Sequence, residues 1–179
     1  MAVQRKTEEI PPPPVPPAQL TLGWWSWRIA ALLVLPAVVQ ILANLDGVQA
    51  RLAREFATDP GLGTPGTESA TEMARLAPWG VIMASTVLMI ALLVCVAMMR
   101  RLGSRAARYA IIVIGLITIP ITSLAYGMGQ VTADSAPTLL DLLPMAQVVL
   151  MAAGTVLTFL RPSTDWLYLA HEYWEFERG

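Results

Sequence analysis

Residues 79–117 read WGVIMASTVLMIALLVCVAMMRRLGSRAARYAIIVIGLI, and this stretch decides the fold class. Two apolar runs flank a short segment that carries Arg100, Arg101, Arg105 and Arg108. Each run approaches the roughly 20 residues that a helix needs to cross a hydrocarbon core of about 30 Å. Lipid offers the backbone no hydrogen-bond partners, so both runs must be helical. The pattern predicts a helical hairpin whose arginine-rich turn stays on one side of a membrane.

Two further runs lie outward from this hairpin. The expected spans are residues 24–45, 79–99, 109–131 and 139–160. The fold class is therefore all-α, a four-helix transmembrane bundle. Composition agrees: 55% of the 179 residues are hydrophobic and 14% are charged, against about 25% charged in a typical soluble domain. The net charge of −1 gives no electrostatic ground for a nucleic-acid partner. Membrane lipids are the expected surroundings. The lone cysteine, Cys95, sits in an apolar run and reads as packing.

Basic residues set the orientation. Arg5, Lys6, Arg28, Arg100, Arg101, Arg105, Arg108, Arg161 and Arg178 fall on one side, and only Arg51, Arg54 and Arg75 on the other. The positive-inside rule then predicts a multi-pass protein of the bacterial plasma membrane with both termini cytoplasmic. The first run is longer than a signal-peptide core and follows about 22 polar and proline-rich residues, so a retained helix is expected.

Residues 1–22 form a proline-rich arm with six prolines between Pro11 and Pro17. It reads as a polyproline II rod, serving as a spacer or as a docking peptide. Trp24, Trp25 and Trp27 at the start of span one, with Trp79 at the start of span two, are expected to form an interfacial belt. The outer loop between spans one and two is expected to hold two short helices. In the first, Val48, Leu52 and Phe56 recur every four residues. The second opens on a possible capping box, Ser69 to Glu72.

No ionisable residue falls at the middle of a span. The intramembrane polar residues are neutral: Gln40, Asn44, Thr122, Gln130 and Gln147. Interhelical hydrogen bonding is the plainer reading, a polar solute pathway the sharper one. Pro36 and Pro120 should kink their helices, and Thr118 and Thr122 flank Pro120 in position to meet freed carbonyls. Phosphate loops, nucleophile elbows and histidine–carboxylate clusters are missing, so no enzyme, cofactor or metal is expected. His171-Glu172-Tyr173-Trp174-Glu175 stops one residue type short of HExxH, and zinc needs three or four ligands.

The tail, residues 162–179, reads as a cytoplasmic amphipathic helix. Trp166, Leu167, Leu169, Ala170, Tyr173 and Trp174 gather on one side, opposite Tyr168, His171, Glu172 and Glu175. Helices that lie on membranes carry Lys and Arg on the polar face, whereas this face is acidic. Both lipid and protein contact stay open. The protein contact is either a basic partner or the chain's own segment Arg100–Arg108, with Trp166, Tyr173 and Trp174 as contact residues.

The layout resembles a broad, uncharacterised group of small four-span actinobacterial integral membrane proteins. It does so in the tryptophan-led first span, VQARLAREF (48–56), TEMARL (71–76), RRLGSRAARYAIIVIGLI (100–117) and LRPSTDWL (160–167). The resemblance covers roughly residues 24–168 and implies no activity. The expected role is a non-enzymatic accessory or scaffold subunit of a larger inner-membrane complex, respiratory or cell-envelope, with other membrane subunits as partners. A small oligomeric transporter or channel is the alternative.

Overall fold

A computed structural model describes residues 14–58, 67–129 and 142–178, the side chains of 67–69 and 174–178 excepted. The described chain is helical throughout: α1 Ala18–Leu32, α2 Val34–Ala43, α3 Leu45–Thr58, α4 Thr67–Leu102, α5 Arg105–Gly129, α6 Leu143–Phe159 and α7 Arg161–Arg178. Three stretches are long and apolar enough to cross a membrane: Ala18–Ala43, Ala70–Leu102 and Arg105–Gly129. A fourth, α6 with Arg161–Tyr173 of α7, qualifies only as a pair bent by 65°. This is compatible with a multi-pass membrane protein. Met83, Val87, Ile90, Val94 and Met98 form an exposed apolar stripe along α4, the kind of surface that lipid covers.

Helix limits follow local chemistry. Gly103 ends α4 at φ 59°, a left-handed conformation that costs a residue with a side chain about 1–2 kcal/mol. The Ser104 hydroxyl then accepts from the Ala107 amide at 3.3 Å and caps α5. The α1/α2 break at Leu33 precedes Pro36, whose ring and missing donor disrupt the preceding turn. Pro78 sits within α4 without ending it.

Both these prolines are met by a side chain from a neighbouring helix. The Tyr126 hydroxyl donates to the Leu33 carbonyl at 2.7 Å, and Gln49 Nε2 donates to the Arg75 carbonyl at 3.3 Å. Each acceptor lies three residues before its proline, where the helical ladder is weakened. Pro120 follows another course. Thr118 Oγ1 donates to its own helix at the Ile114 carbonyl, and the buried Thr122 Oγ1 has no partner. Neither threonine meets the Leu116 carbonyl that Pro120 frees, as the sequence had suggested.

The α1/α2 pair and α5 each touch both α4 and α6. The main core lies toward the arginine-rich end, where Leu20, Trp24, Trp27, Leu92, Val96, Met99, Ile111 and Leu167 are buried together. A smaller cluster of Ala37, Ile41, Ala125 and Tyr126 continues it, and Val48, Leu52 and Ala74 join α3 to α4.

Several boundaries differ from expectation. The first helix begins at Ala18 rather than Trp24 and buries Leu20, so the arm is shorter than 1–22. Among the described residues the loop between spans one and two holds one separate helix, α3; the second expected helix is the first part of α4, and Ser69 lies inside it. At 36 residues, α4 is about 54 Å long and outreaches a hydrocarbon core by roughly 24 Å. Residues 1–13 of the arm, Gln130, the end of span three and the start of span four lie outside the described residues.

Candidate functional site

Chemistry concentrates where α7 folds back on the arginine-rich turn. Among the described side chains of α7, Ser163, Trp166, Leu167 and Ala170 are buried. Their spacing of three and four places them on one helical face. That face packs against α1, α4 and α6. A Cβ at Gly103 would approach Ala170 Cβ to 3.0 Å, so the glycine that ends α4 also lets α7 come close.

Aromatic rings and guanidinium groups make the seam. Trp166 meets Trp24 edge-on, with ring centroids 5.7 Å apart, and its Nε1 donates to the Pro14 carbonyl at 3.0 Å. The Arg105 guanidinium lies 3.4 Å from the Tyr168 ring centroid, and that of Arg108 lies 3.6 Å from the Phe159 centroid. Arg108 Nη1 also donates to Thr164 Oγ1 at 3.0 Å. Arg100 sits 5.7 Å over Trp24. Contacts of this type contribute about 0.5–2 kcal/mol each, more when desolvated. Of the tail contacts left open by the sequence, the geometry described is the one to the chain's own Arg100–Arg108 segment.

This changes the place of several candidate residues. Trp166 is 8% exposed and engaged within the chain, so it offers no free surface to a partner. Leu169, expected beside it, is exposed instead. Tyr173 is half-buried and engaged in an interaction, and the Trp174 side chain lies outside the described residues. The four belt tryptophans divide. Trp25 and Trp79 are exposed, with the Arg28 guanidinium 5.3 Å over the Trp25 ring. Trp24 and Trp27 are 3% and 2% exposed and point inward.

Glycines explain the inward turn of Trp27. A Cβ at Gly154 would lie 2.7 Å from its ring, and one at Gly115 would lie 2.9 Å away. The indole therefore fills a slot formed by two residues without side chains. Gly23 makes a similar close approach to Thr158 and Gly154. The signal for this slot was present in the sequence. Trp24 and Trp27 share a face at i, i+3, and Gly115 and Gly154 sit well inside their spans.

The polar residues of the spans have different settings. Gln147 Nε2 donates to the Ala30 carbonyl at 3.1 Å in a buried setting, just before the α1/α2 break. Asn44 Nδ2 donates to the Gln40 carbonyl at 3.1 Å. The Gln40 side chain lies against Gly129, where a Cβ would meet it at 2.9 Å. Gln40 Oε1, Ser85 Oγ and Thr122 Oγ1 are buried without partners; Ser85 was not singled out in the sequence. At the opposite end, a groove of about 290 Å³ runs between α3 and α5, lined by Val48, Arg51, Leu52, Glu55, Ser123, Leu124, Gly127 and Met128. Among the described residues, no three His, Cys, Asp or Glu side chains gather as metal ligands.

Comparison with known proteins adds no assignment: no family model, no curated protein and no solved structure matches the chain.

Proposed function

We propose that the chain is a non-enzymatic, four-span protein of the bacterial plasma membrane with both termini cytoplasmic. In this reading it is an accessory or scaffold subunit of a larger respiratory or cell-envelope assembly. The supporting observation is the junction of α7 with the segment that precedes α1. Trp166 of the tail bonds to Pro14 of the arm, so these two segments meet beside the arginine-rich turn. Val15, Tyr168 and Leu169 are exposed around that junction, and surfaces of this kind suit contact with another subunit. The charge asymmetry of nine basic residues against three supports the orientation.

Purification of the full chain in mild detergent, followed by mass spectrometry, tests the reading. A defined membrane partner is expected. A variant ending at Pro162 should still insert and should lose that partner. A monodisperse monomer that carries no partner overturns the proposal.

A small transporter or channel is the second reading. It is favoured by the unpartnered oxygens of Gln40, Ser85 and Thr122, one on each of α2, α4 and α5. Solute flux in proteoliposomes that disappears when Gln40 and Asn44 are both changed to alanine would support it. Unchanged flux in that variant would remove it.

A further inference from the structure

We propose that the elbow between α6 and α7 binds the phosphate of an anionic phospholipid headgroup, held by Arg108 and Arg105. The inference rests on the chain being embedded in a membrane.

The argument begins with an uncompensated charge. Arg108 is 9% exposed, yet its contacts are a hydroxyl and a ring: Thr164 Oγ1 and Phe159. Neither cancels a full positive charge, and a buried ion is costly without a counter-ion. Arg51–Glu55 and Arg161–Asp165 are ion pairs among the described residues. Arg100, Arg101, Arg105 and Arg108 take part in none there. The Arg108 Nε–H is closed off from water and has no acceptor. With Nη1 committed to Thr164 and Nε sealed by the chain, Nη2 is the donor left to reach a phosphate oxygen.

The surroundings fit the same ligand. Arg105 lies three residues before Arg108 and so shares its helical face; it is exposed and steadied over Tyr168. The 18-residue α7 begins at Arg161 and turns its positive end toward the same elbow. A lipid rather than free phosphate is indicated by the flank. Tyr109 packs edge-on against Phe159, with centroids 5.9 Å apart, and is largely exposed. Phe159 closes the apolar α6, and tyrosines favour headgroup depth. Acyl chains would lie along α6 while the phosphate reaches the arginines.

The experiment uses the full chain in neutral detergent. Short-chain phosphatidylglycerol, short-chain phosphatidylcholine and inorganic phosphate are added separately, and the thermal unfolding midpoint is followed. Phosphatidylglycerol should raise the midpoint, phosphatidylcholine should leave it unchanged, and inorganic phosphate should act more weakly. In native mass spectrometry, Arg108→Gln should retain phosphatidylglycerol about tenfold less well. Arg105→Gln, a change at an exposed position, should lose several-fold even if Arg108→Gln does not fold. Arg51→Gln, at the opposite end, should bind as the unaltered chain does. Equal responses to the two lipids overturn the proposal, as does unchanged retention by Arg105→Gln. A response to inorganic phosphate equal to that to phosphatidylglycerol also overturns it, since the site would then be one for the free anion. If the chain remains dispersed without detergent, the membrane reading fails first, before any lipid is added.

Discussion

The two ends of the helical body handle charge in opposite ways. At the end away from the arginine-rich turn, α3 lies on the extension of α4 through Val48, Leu52 and Ala74. Its charges are exposed and locally paired, as in Arg51–Glu55 at 2.7 Å. At the arginine-rich end, Trp24, Trp27 and Trp166 fill the core, and the guanidinium groups rest on Trp24, on Phe159 and Tyr168 at its edge, or on a hydroxyl. The first arrangement asks little of its neighbours, because water screens such a pair. The second requires shape: the rings must be placed before the cations can lie over them. Substitutions should therefore cost far more at one end than at the other.

The sharpest test of this contrast is Trp27→Ala. The indole occupies the slot between Gly115 and Gly154, and its loss should destabilise the fold by about 3–5 kcal/mol. Chemical or thermal unfolding in detergent measures this; a cost below about 1 kcal/mol would mean that the slot is not tightly filled. Trp166→Ala should act next, and more locally. It removes an aromatic pair and a hydrogen bond, so α7 should open about tenfold more often. Limited proteolysis after Leu160 reads that opening while the longer helices stay intact. Tyr126→Phe removes the hydroxyl that meets the Leu33 carbonyl beside the α1/α2 break, for a cost of about 0.6–2 kcal/mol. The smallest effect belongs to the end that carries α3. Arg51→Gln should change stability by less than about 0.5 kcal/mol, and a larger loss would erase the contrast.

The helices themselves could be read from the sequence, because a long run without charge admits few alternatives. The arginine cluster likewise marked the α4–α5 turn. What escaped was the direction in which particular side chains point. Tryptophan at the start of an apolar helix ordinarily seeks the headgroup region, and Trp25 and Trp79 are exposed in keeping with that. Trp27 turns inward because glycines on two other helices leave room, and Trp24 because it packs on Trp166 of α7, relations among residues far apart in the chain. The same limit applies to α7. Periodicity placed Trp166 and Ala170 on one face, but it could not show that Gly103 would admit them. Nor does proline's position alone tell its consequence. Pro36 breaks a helix and Pro78 does not, and the neighbouring donors Tyr126 and Gln49 become visible only when the helices are assembled.

The length of α4 carries a mechanical consequence. It is a single rod that runs from the arginine-rich turn to a point well beyond the apolar slab. Leverage follows from that proportion: a tilt of about 10° pivoting at Arg100 would swing Ala70 through roughly 8 Å. Because α3 packs on the far arm of this lever, a modest tilt at the arginine-rich turn would become a displacement large enough for a neighbour of α3 to feel.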